Sequence, residues 1–383
     1  LQQKKIIIAP DSFKESMTAK QAAEAIARGF STVFQTGVNL EIIPMADGGE
    51  GTTQSLADAL QGSIYYKTVT NSNGESVRAA YAISGDNSTA IIEAAEASGL
   101  ELIPPHKRNP LLATTYGTGE LIQAALEHGV TKIILGIGGS ATNDGGTGML
   151  EALGVQFYHR NGKRLNQGGG HLIDLDHIDI SNLDPRLENV EIVVACDVDN
   201  PLLGANGASE VYGPQKGATE DMVNQLDKAL SNYHDVQERI TNKPVKDIPG
   251  SGAAGGLGAG LLAFLDAKLE PGVEIVLKET NFYERASDAD LVITGEGKID
   301  GQTIYGKTPV GVAKAAKQSN IPVIAVCGTL GQNYEKVYEH GIDAVFSVIQ
   351  APCELKDALE NGPVYLEGLA TNIAKVLKLN NTF

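Results

Sequence analysis

Apolar and polar positions recur along this chain in two distinct ways. Near the N-terminus an apolar run over 5–9 reads as a buried strand, and Ala22, Ala23, Ile26 and Phe30, three and four residues apart, mark a helix over 18–34. The βα alternation continues with a strand at 40–44 and a helix at 51–60, and it returns at the other end of the chain. There the pattern predicts strands at 291–294, 322–327 and 343–349, helices near 309–319 and 332–340, and a last helix over 363–378. Strands alternating with helices imply a parallel sheet covered on both faces. The middle differs. "SIYYKTVT", "VRAAYAIS" and "TAIIEA" follow one another from residue 63 on without a helix between them, which predicts antiparallel or mixed pairing.

These patterns predict an α/β protein with two α/β domains. The chain ends, 1–68 and 286–383, read as one discontinuous, Rossmann-like parallel-sheet domain, and 69–285 as an inserted mixed α/β domain. A simple division into N-terminal and C-terminal parts is the competing layout. A length of 383 residues exceeds what one ordinary core organises, which also points to two domains. The segment 219–240 reads as a helix with a charged, solvated side.

Composition narrows the function. With 42% hydrophobic and 20% charged residues the chain has ample material for a core. A net charge of -17 argues against nucleic acid or an anionic membrane as partner, while leaving room for anionic small molecules met by local cations, loop N–H groups or a divalent ion. Aromatic residues at 5%, with no tryptophan, offer little platform for stacking single strands. No apolar run is long enough for a bilayer, and the first residues lack a signal-peptide pattern. Cys196, Cys327 and Cys353 have no metal-ligand spacing and fit a reduced, cytoplasmic protein. The first two end apolar runs and are expected to be buried thiols.

Small and acidic residues gather where strands should end. "APDSFK" carries Asp11, Ser12 and Lys14 beyond the first strand; "PMADGGEGT" (44–52), "GIGGSATNDGGTG" (136–148), "ACDVDNPLLGANGA" (195–208), "PGSGAAGGLGAG" (249–260) and "ITGEGKIDGQTIYGKTP" (293–309) follow the same rule. Ligands in open α/β sheets sit at the carboxyl ends of strands. Glycine there lets backbone N–H groups approach phosphate, and carboxylates hold Mg²⁺ or act as general base. Each segment alone reads first as a turn. Together they suit phosphoryl transfer.

Two pattern matches compete with that reading. "GQTIYGKT" satisfies the P-loop spacing, Gly301 to Gly306-Lys307-Thr308, but Gly301 lies well beyond the strand expected to end at 294, and the following strand "VIAVCG" lacks an Asp. "GIGGSA" fits a loose dinucleotide fingerprint, yet the next strand, "VQFY", ends at His159-Arg160 instead of an acidic ribose ligand. The histidines are dispersed and there is no nucleophile elbow, so a hydrolase has little support.

The segments "APDSFKESMTAKQAAEAIARGF", "MADGGEGT", "GIGGSATNDGGTGML", "ACDVDNPLLGANGASEVYGPQKGAT", "GAAGGLGAG" and "TGEGKIDGQTIYGKTPVGVA", in that order, resemble the successive motifs of the bacterial glycerate kinase family, the class distinct from P-loop glycerate kinases. The resemblance spans essentially the whole chain. It implies ATP-dependent phosphorylation of D-glycerate, a discontinuous first domain, and an active site in the cleft between domains. It also points to 2-phosphoglycerate over 3-phosphoglycerate, the same direction as the argument that the hydroxyl nearest an anchored carboxylate is the more rigidly placed.

In that setting Asp197, directly after the strand "IVVAC", is expected to be the general base, with Asp199 as its alternate or a metal ligand. Lys14 neutralises the glycerate carboxylate or a phosphoryl oxygen, Asp11 orients that lysine or binds Mg²⁺, and Ser12 bonds a substrate hydroxyl. Asp47 and Glu50 are metal or substrate candidates, and Glu296 and Lys298 face the substrate. Gly138, Gly139, Ser140, Asn143 and Asp144 cradle the triphosphate and its Mg²⁺. Gly255 and Gly256 offer backbone donors to the nucleotide or pack closely before a helix at 257–265. The expected ligands are thus ATP, Mg²⁺ and D-glycerate, with no nucleic-acid or membrane partner, on a monomer or homodimer. A sensor that binds these molecules without turnover is the alternative of a different class.

Overall fold

The first apolar run forms a strand in the computed structural model, which describes residues 3–349 and 351–379. In chain order the strands are β1 (Lys4–Pro10), β2 (Val38–Ile42), β3 (Ser63–Thr70), β4 (Ser76–Ile83), β5 (Thr89–Glu93), β6 (Lys132–Gly136), β7 (Gln156–His159), β8 (Leu175–Asp179), β9 (Glu191–Ala195), β10 (Lys268–Glu270), β11 (Leu291–Ile299), β12 (Val323–Leu330) and β13 (Ala344–Ser347). The chain separates into two units. One takes in the described residues through Asp47, with Gln54–Leu60 and those from Val273 on; the other takes in Gly48–Thr53 and Gln61–Gly272.

The first unit is a parallel sheet in the order β13-β12-β11-β1-β2. Along β1, Ile6 and Ile8 point into a cluster with Ala22, Ile26, Phe30, Leu366 and Ile373, while Ile7 and Ala9, on the opposite face, are buried as well. Both faces are therefore covered, as a parallel sheet requires. The helix Ala19–Val33 starts at Thr18, whose hydroxyl accepts from the Gln21 N–H while the Gln21 side chain accepts from the Thr18 N–H, a complete capping box. It packs on the helix Gly362–Leu379 at Gly29, where a Cβ would lie 2.6 Å from the Glu367 carbonyl.

The second unit holds the mixed sheet β10-β9-β6-β5-β4-β3, antiparallel from β3 to β5 and parallel from β5 to β10. A separate antiparallel ribbon joins β7 and β8. The α/β class and the mixed pairing in the middle of the chain thus match the apolar pattern.

The changeovers after Leu60 and Gly272 fall earlier than the expected 68 and 285. β3 pairs along its whole length with β4, which draws it into the second sheet, and Arg285 pairs with Glu41 of the first unit. Residues 1–2 and 380–383 of the expected terminal domain lie outside the described residues. Three local expectations change. β11 runs on to Ile299 because its pairing with β12 continues to Leu330; residues Tyr334–His340 form a 3₁₀ helix; and a short helix, Leu355–Glu360, precedes the last one. Cys327 is buried, while Cys196 is only half-buried and Cys353 is exposed. Among the described residues no helix is long and apolar enough to cross a membrane.

The Gly29 contact carries a stability prediction. Gly29→Val forces a branched side chain against the backbone of the partner helix and should cost about 1–3 kcal/mol in urea unfolding. Gly138→Ala, whose Cβ would meet nothing within 4 Å, serves as the neutral control. Equal midpoints for the two variants would contradict the close helix contact.

Candidate active site

In the first unit the carboxyl ends of β1 and β11 bring several charged side chains together. Asp11 follows β1 directly, with its N–H donating to the Gly295 carbonyl of β11. Its Oδ1 accepts from the Ser12 N–H at 2.6 Å and its Oδ2 from the Thr308 hydroxyl at 2.5 Å. The segment after β2 stays beside β1, the Met45 N–H donating to the Pro10 carbonyl, and this carries Asp47 close enough to act on Asp11. Burial first, then Asp47, push the Asp11 carboxyl up to about 6, against the bonds from Thr308 and Ser12.

Glu296 lies in β11, nearly buried, with its Oε1 accepting from the Thr303 hydroxyl at 2.8 Å and its Oε2 lying 3.7 Å from the Lys307 ammonium. Burial raises its carboxyl to about 7; Lys307 and Thr303 hold it down, and Asp11 and Asp47 push it up. Lys14 stands exposed in the tight loop closed by the paired backbones of Phe13 and Met17, and a Cβ on Gly297 would lie 3.5 Å from the Lys14 backbone nitrogen. Lys298, on the same face of the strand as Glu296, is paired with Asp300 at 2.9 Å. Asp11, Ser12, Asp47 and Glu296 are therefore neighbours, with Lys14 on the adjoining loop, while Lys298 is paired with Asp300.

Lys307, Thr308 and Thr303 belong to this cluster, and the apparent P-loop concealed them. The expected objection to that motif, a long gap after the strand, disappears because β11 ends at Ile299. A different one replaces it. The N–H groups of Gly301, Thr303 and Tyr305 donate to the carbonyls of Gln332, Asp300 and Gln302, and the Gln302 N–H to the Asp300 carboxylate. These four are taken up within the turn, while the N–H groups of Ile304, Gly306, Lys307 and Thr308 have no partner among the described residues.

In the second unit the loop after β6 divides into an exposed turn and a buried base. Gly138 and Gly139 are exposed, Gly139 at φ +71, and their N–H groups have no partner among the described residues. The Leu100 N–H on the Gly139 carbonyl and the Ala141 N–H on the Ser98 carbonyl hold the turn in place. Ser140 is buried, its hydroxyl accepting from Lys216 at 3.1 Å. Asn143 is fully buried and donates to the Ser209 hydroxyl at 3.0 Å, so it cannot reach a ligand at the surface.

Asp144 departs from its expected role as a metal ligand. It has no exposure, and its Oδ2 accepts from the Thr115 N–H (2.9 Å), the Thr115 hydroxyl (2.9 Å) and the Gly148 N–H (3.2 Å), its Oδ1 from the Gly146 N–H (3.1 Å). Burial raises its pKa against these bonds. Protein donors occupy both of its oxygens. Gly255 and Gly256 are buried too. A Cβ on Gly255 would fall 2.0 Å from the Thr142 carbonyl and one on Gly256 3.0 Å from the Gly145 Cα, while the Gly256 N–H donates to Gly252. Close packing, not ligand donation, explains both.

Asp197 follows β9 in an exposed segment, its Oδ1 accepting from the Gly272 N–H at 3.0 Å, and Asp199 lies exposed beyond it. Glu50 is exposed just before the helix Thr52–Ala59. Sequence reasoning missed Lys216, which is 2% exposed. "GPQKGAT" reads as a polar loop, and nothing in it signals burial.

A sequence profile of the Glycerate kinase family matches residues 6–378. The chain is 58% identical over 377 residues to a glycerate kinase of Halalkalibacterium halodurans, covering 98% of this chain and 99% of that protein. It is 52% identical over 375 residues to the glycerate 2-kinase of Escherichia coli strain K12, covering 98% of each. A crystal structure of a provisionally assigned glycerate kinase 2 from Salmonella typhimurium LT2 superposes with a TM-score of 0.92 at 49% identity, over 99% of this chain and 100% of that one.

The raised carboxyl of Glu296 links stability to pH. A carboxyl whose folded pKa lies above its unfolded value contributes stability below the unfolded value and loses it as pH rises through the folded one, here from the usual glutamate range to about 7. Glu296→Gln mimics the protonated form. It should stabilise the protein by about 1–3 kcal/mol at pH 8 and leave it near parity at pH 5, read from urea midpoints. An equal effect at both pH values would show that Glu296 is not the strained group.

Proposed function

The chain belongs to the glycerate kinase family, and we propose on that premise that it transfers the γ-phosphoryl group of ATP to the C2 hydroxyl of D-glycerate, giving ADP and 2-phosphoglycerate. The observation that carries this reading is the set of interacting carboxylates, Asp11, Asp47 and Glu296, at the carboxyl ends of β1 and β11, with Lys307 near Glu296 and Lys14 on the loop that follows Asp11. Phosphoryl transfer needs cations for the charged oxygens and a base for the acceptor hydroxyl. This cluster contains both.

Glu296 is the base in this proposal. A pKa of about 7 suits proton abstraction near neutral pH, and Thr303 and Lys307 fix the carboxylate's direction. Asp197 lies exposed in the second unit with Oδ1 taken by the Gly272 N–H, outside the carboxylate cluster of the first unit, and the expected assignment moves from it to Glu296 in this proposal. The hydroxyl oxygen of glycerate attacks the γ-phosphorus, its proton passes to a Glu296 oxygen, and ADP departs. Lys14, exposed and unpaired among the described residues, anchors the glycerate carboxylate. That anchor holds the adjacent C2 hydroxyl more rigidly than the C3 hydroxyl. The name of the Escherichia coli relative, glycerate 2-kinase, supports the same choice.

Among the described residues no three His, Cys, Asp or Glu side chains gather as a metal cage. Mg²⁺ does not need one, since it is commonly held by one or two carboxylates together with nucleotide phosphates. Asp11 and Asp47 fit that part, because the mutual repulsion that raises Asp11 is what a cation would relieve. The ion would neutralise charge on the phosphate oxygens. In the second unit, the unpartnered N–H groups of Gly138 and Gly139 suit phosphate oxygens, with Ser140, Asn143 and Asp144 forming their support. We assign the reaction to the cytoplasm, a reading supported by the free thiols Cys196, Cys327 and Cys353.

Two measurements test the proposal. With ATP, D-glycerate and enolase but no mutase, phosphoenolpyruvate should form without a lag; ADP release without phosphoenolpyruvate would move the acceptor to C3. Glu296→Gln should lower kcat by about 10²–10⁴, the span usual for a lost general base, and by more than Asp197→Asn does. The reverse ranking would return the base to Asp197.

A further inference from the structure

Lys216 takes no part in the chemistry set out above. Its ammonium is buried, donating to the Ser140 hydroxyl at 3.1 Å and the Thr142 carbonyl at 2.6 Å, and it forms no ion pair among the described residues. An ammonium has three donors, so one N–H is left over. Two acceptors on the same loop, the Thr142 hydroxyl and the Asn143 side-chain oxygen, are buried without partners. Burying a cation without a counter-charge is costly, and two neutral hydrogen bonds do not require a cation. The charge therefore calls for an anion that binds nearby. Ser140, to which Lys216 is tethered, closes the exposed turn of Gly138 and Gly139, where the backbone N–H groups stand open and a Cβ on Gly138 would meet nothing within 4 Å.

We propose that Lys216 is a positioning residue for ATP, locking the Gly138–Ser140 turn and setting a fixed positive charge beneath it that the polyphosphate neutralises on binding. This rests on the reading of that turn as the phosphate site. Burial lowers the Lys216 pKa to about 7, and Asp144 is the charged group that acts against the shift. Arg108, whose backbone packs on Gly217, turns its guanidinium to the Leu100 and Ile103 carbonyls. The charge beneath the turn is consequently present below neutrality and fades above it.

The test is steady-state kinetics of the full chain. Lys216→Met should raise KM for ATP about tenfold at pH 6.5 while KM for D-glycerate changes by less than about twofold. The variant-to-wild-type ratio for ATP should shrink by pH 8.5, where the wild-type lysine has lost its proton. A parallel rise in both KM values, no rise for ATP, or a ratio independent of pH would each overturn the proposal. Should Lys216→Met fail to fold, Ser140→Ala, which cuts the tether, must raise KM for ATP with the same selectivity, and an unchanged value overturns the proposal. Gly138→Glu separates this from its premise. A glutamate in that open space should weaken ATP binding if phosphates occupy the turn; an unchanged KM for ATP would overturn the premise and the proposal together, whereas a raised one beside an unaffected Lys216→Met overturns the proposal alone.

Discussion

A carboxylate removed from water must be met by donors, and in the second unit Asp144 imposes that demand on everything around it. The donors come from the backbone of Thr115, Gly146 and Gly148 and from the Thr115 hydroxyl, so the chain after Asn143 has to coil back on itself. Gly145 and Gly146 take φ of +63 and +78 to do so. The neighbouring chain comes so close that a Cβ on Gly255 would overlap the Thr142 carbonyl, and one on Gly148 would lie 2.2 Å from the Thr114 hydroxyl. The exposed turn at Gly138 and Gly139 stands on this base. Backbone bonds to Leu100 and Ser98 tether it there, a pre-organisation that would suit the phosphate binding proposed for it.

The first unit answers a different constraint. Its parallel sheet is buried on both faces, so the polar side chains near its core collect at the carboxyl ends of the strands. There Asp11, Asp47 and Glu296 repel one another, and burial adds to the effect. The cluster is held together by the hydroxyls of Thr303 and Thr308 and by Lys307. Carboxyls held near the titration range of neutral solution, as those of Asp11 and Glu296 are, suit proton transfer or a cation.

Much of this was legible from the residues. The run Ile6–Ala9 followed by Asp11 marks a strand end with a carboxylate, and the helix after it announces itself through Thr18, Gln21 and its apolar stripe. What could not be read is whether a polar residue in a glycine loop is exposed. Asp144 and Asn143 look like ligands in sequence, and only the fold shows their burial. Lys216 gives the opposite error, a lysine in a polar-looking loop that ends up inside. β11 was underestimated because "GEGKI" has weak strand character by itself; pairing with β12 carries it to Ile299. Lys307 and Thr308 look in sequence like part of an apparent P-loop, yet in the fold both side chains reach the carboxylate cluster, the ammonium lying near Glu296 and the hydroxyl donating to Asp11.

Phosphorus NMR of the reaction tests the central claim, transfer from ATP to the C2 oxygen of D-glycerate. With both substrates present, the γ-phosphorus signal of ATP should decline as a new phosphomonoester resonance grows, split into a doublet by the lone proton on C2. A triplet from the two protons on C3, or loss of the γ signal to inorganic phosphate regardless of glycerate, would contradict the account.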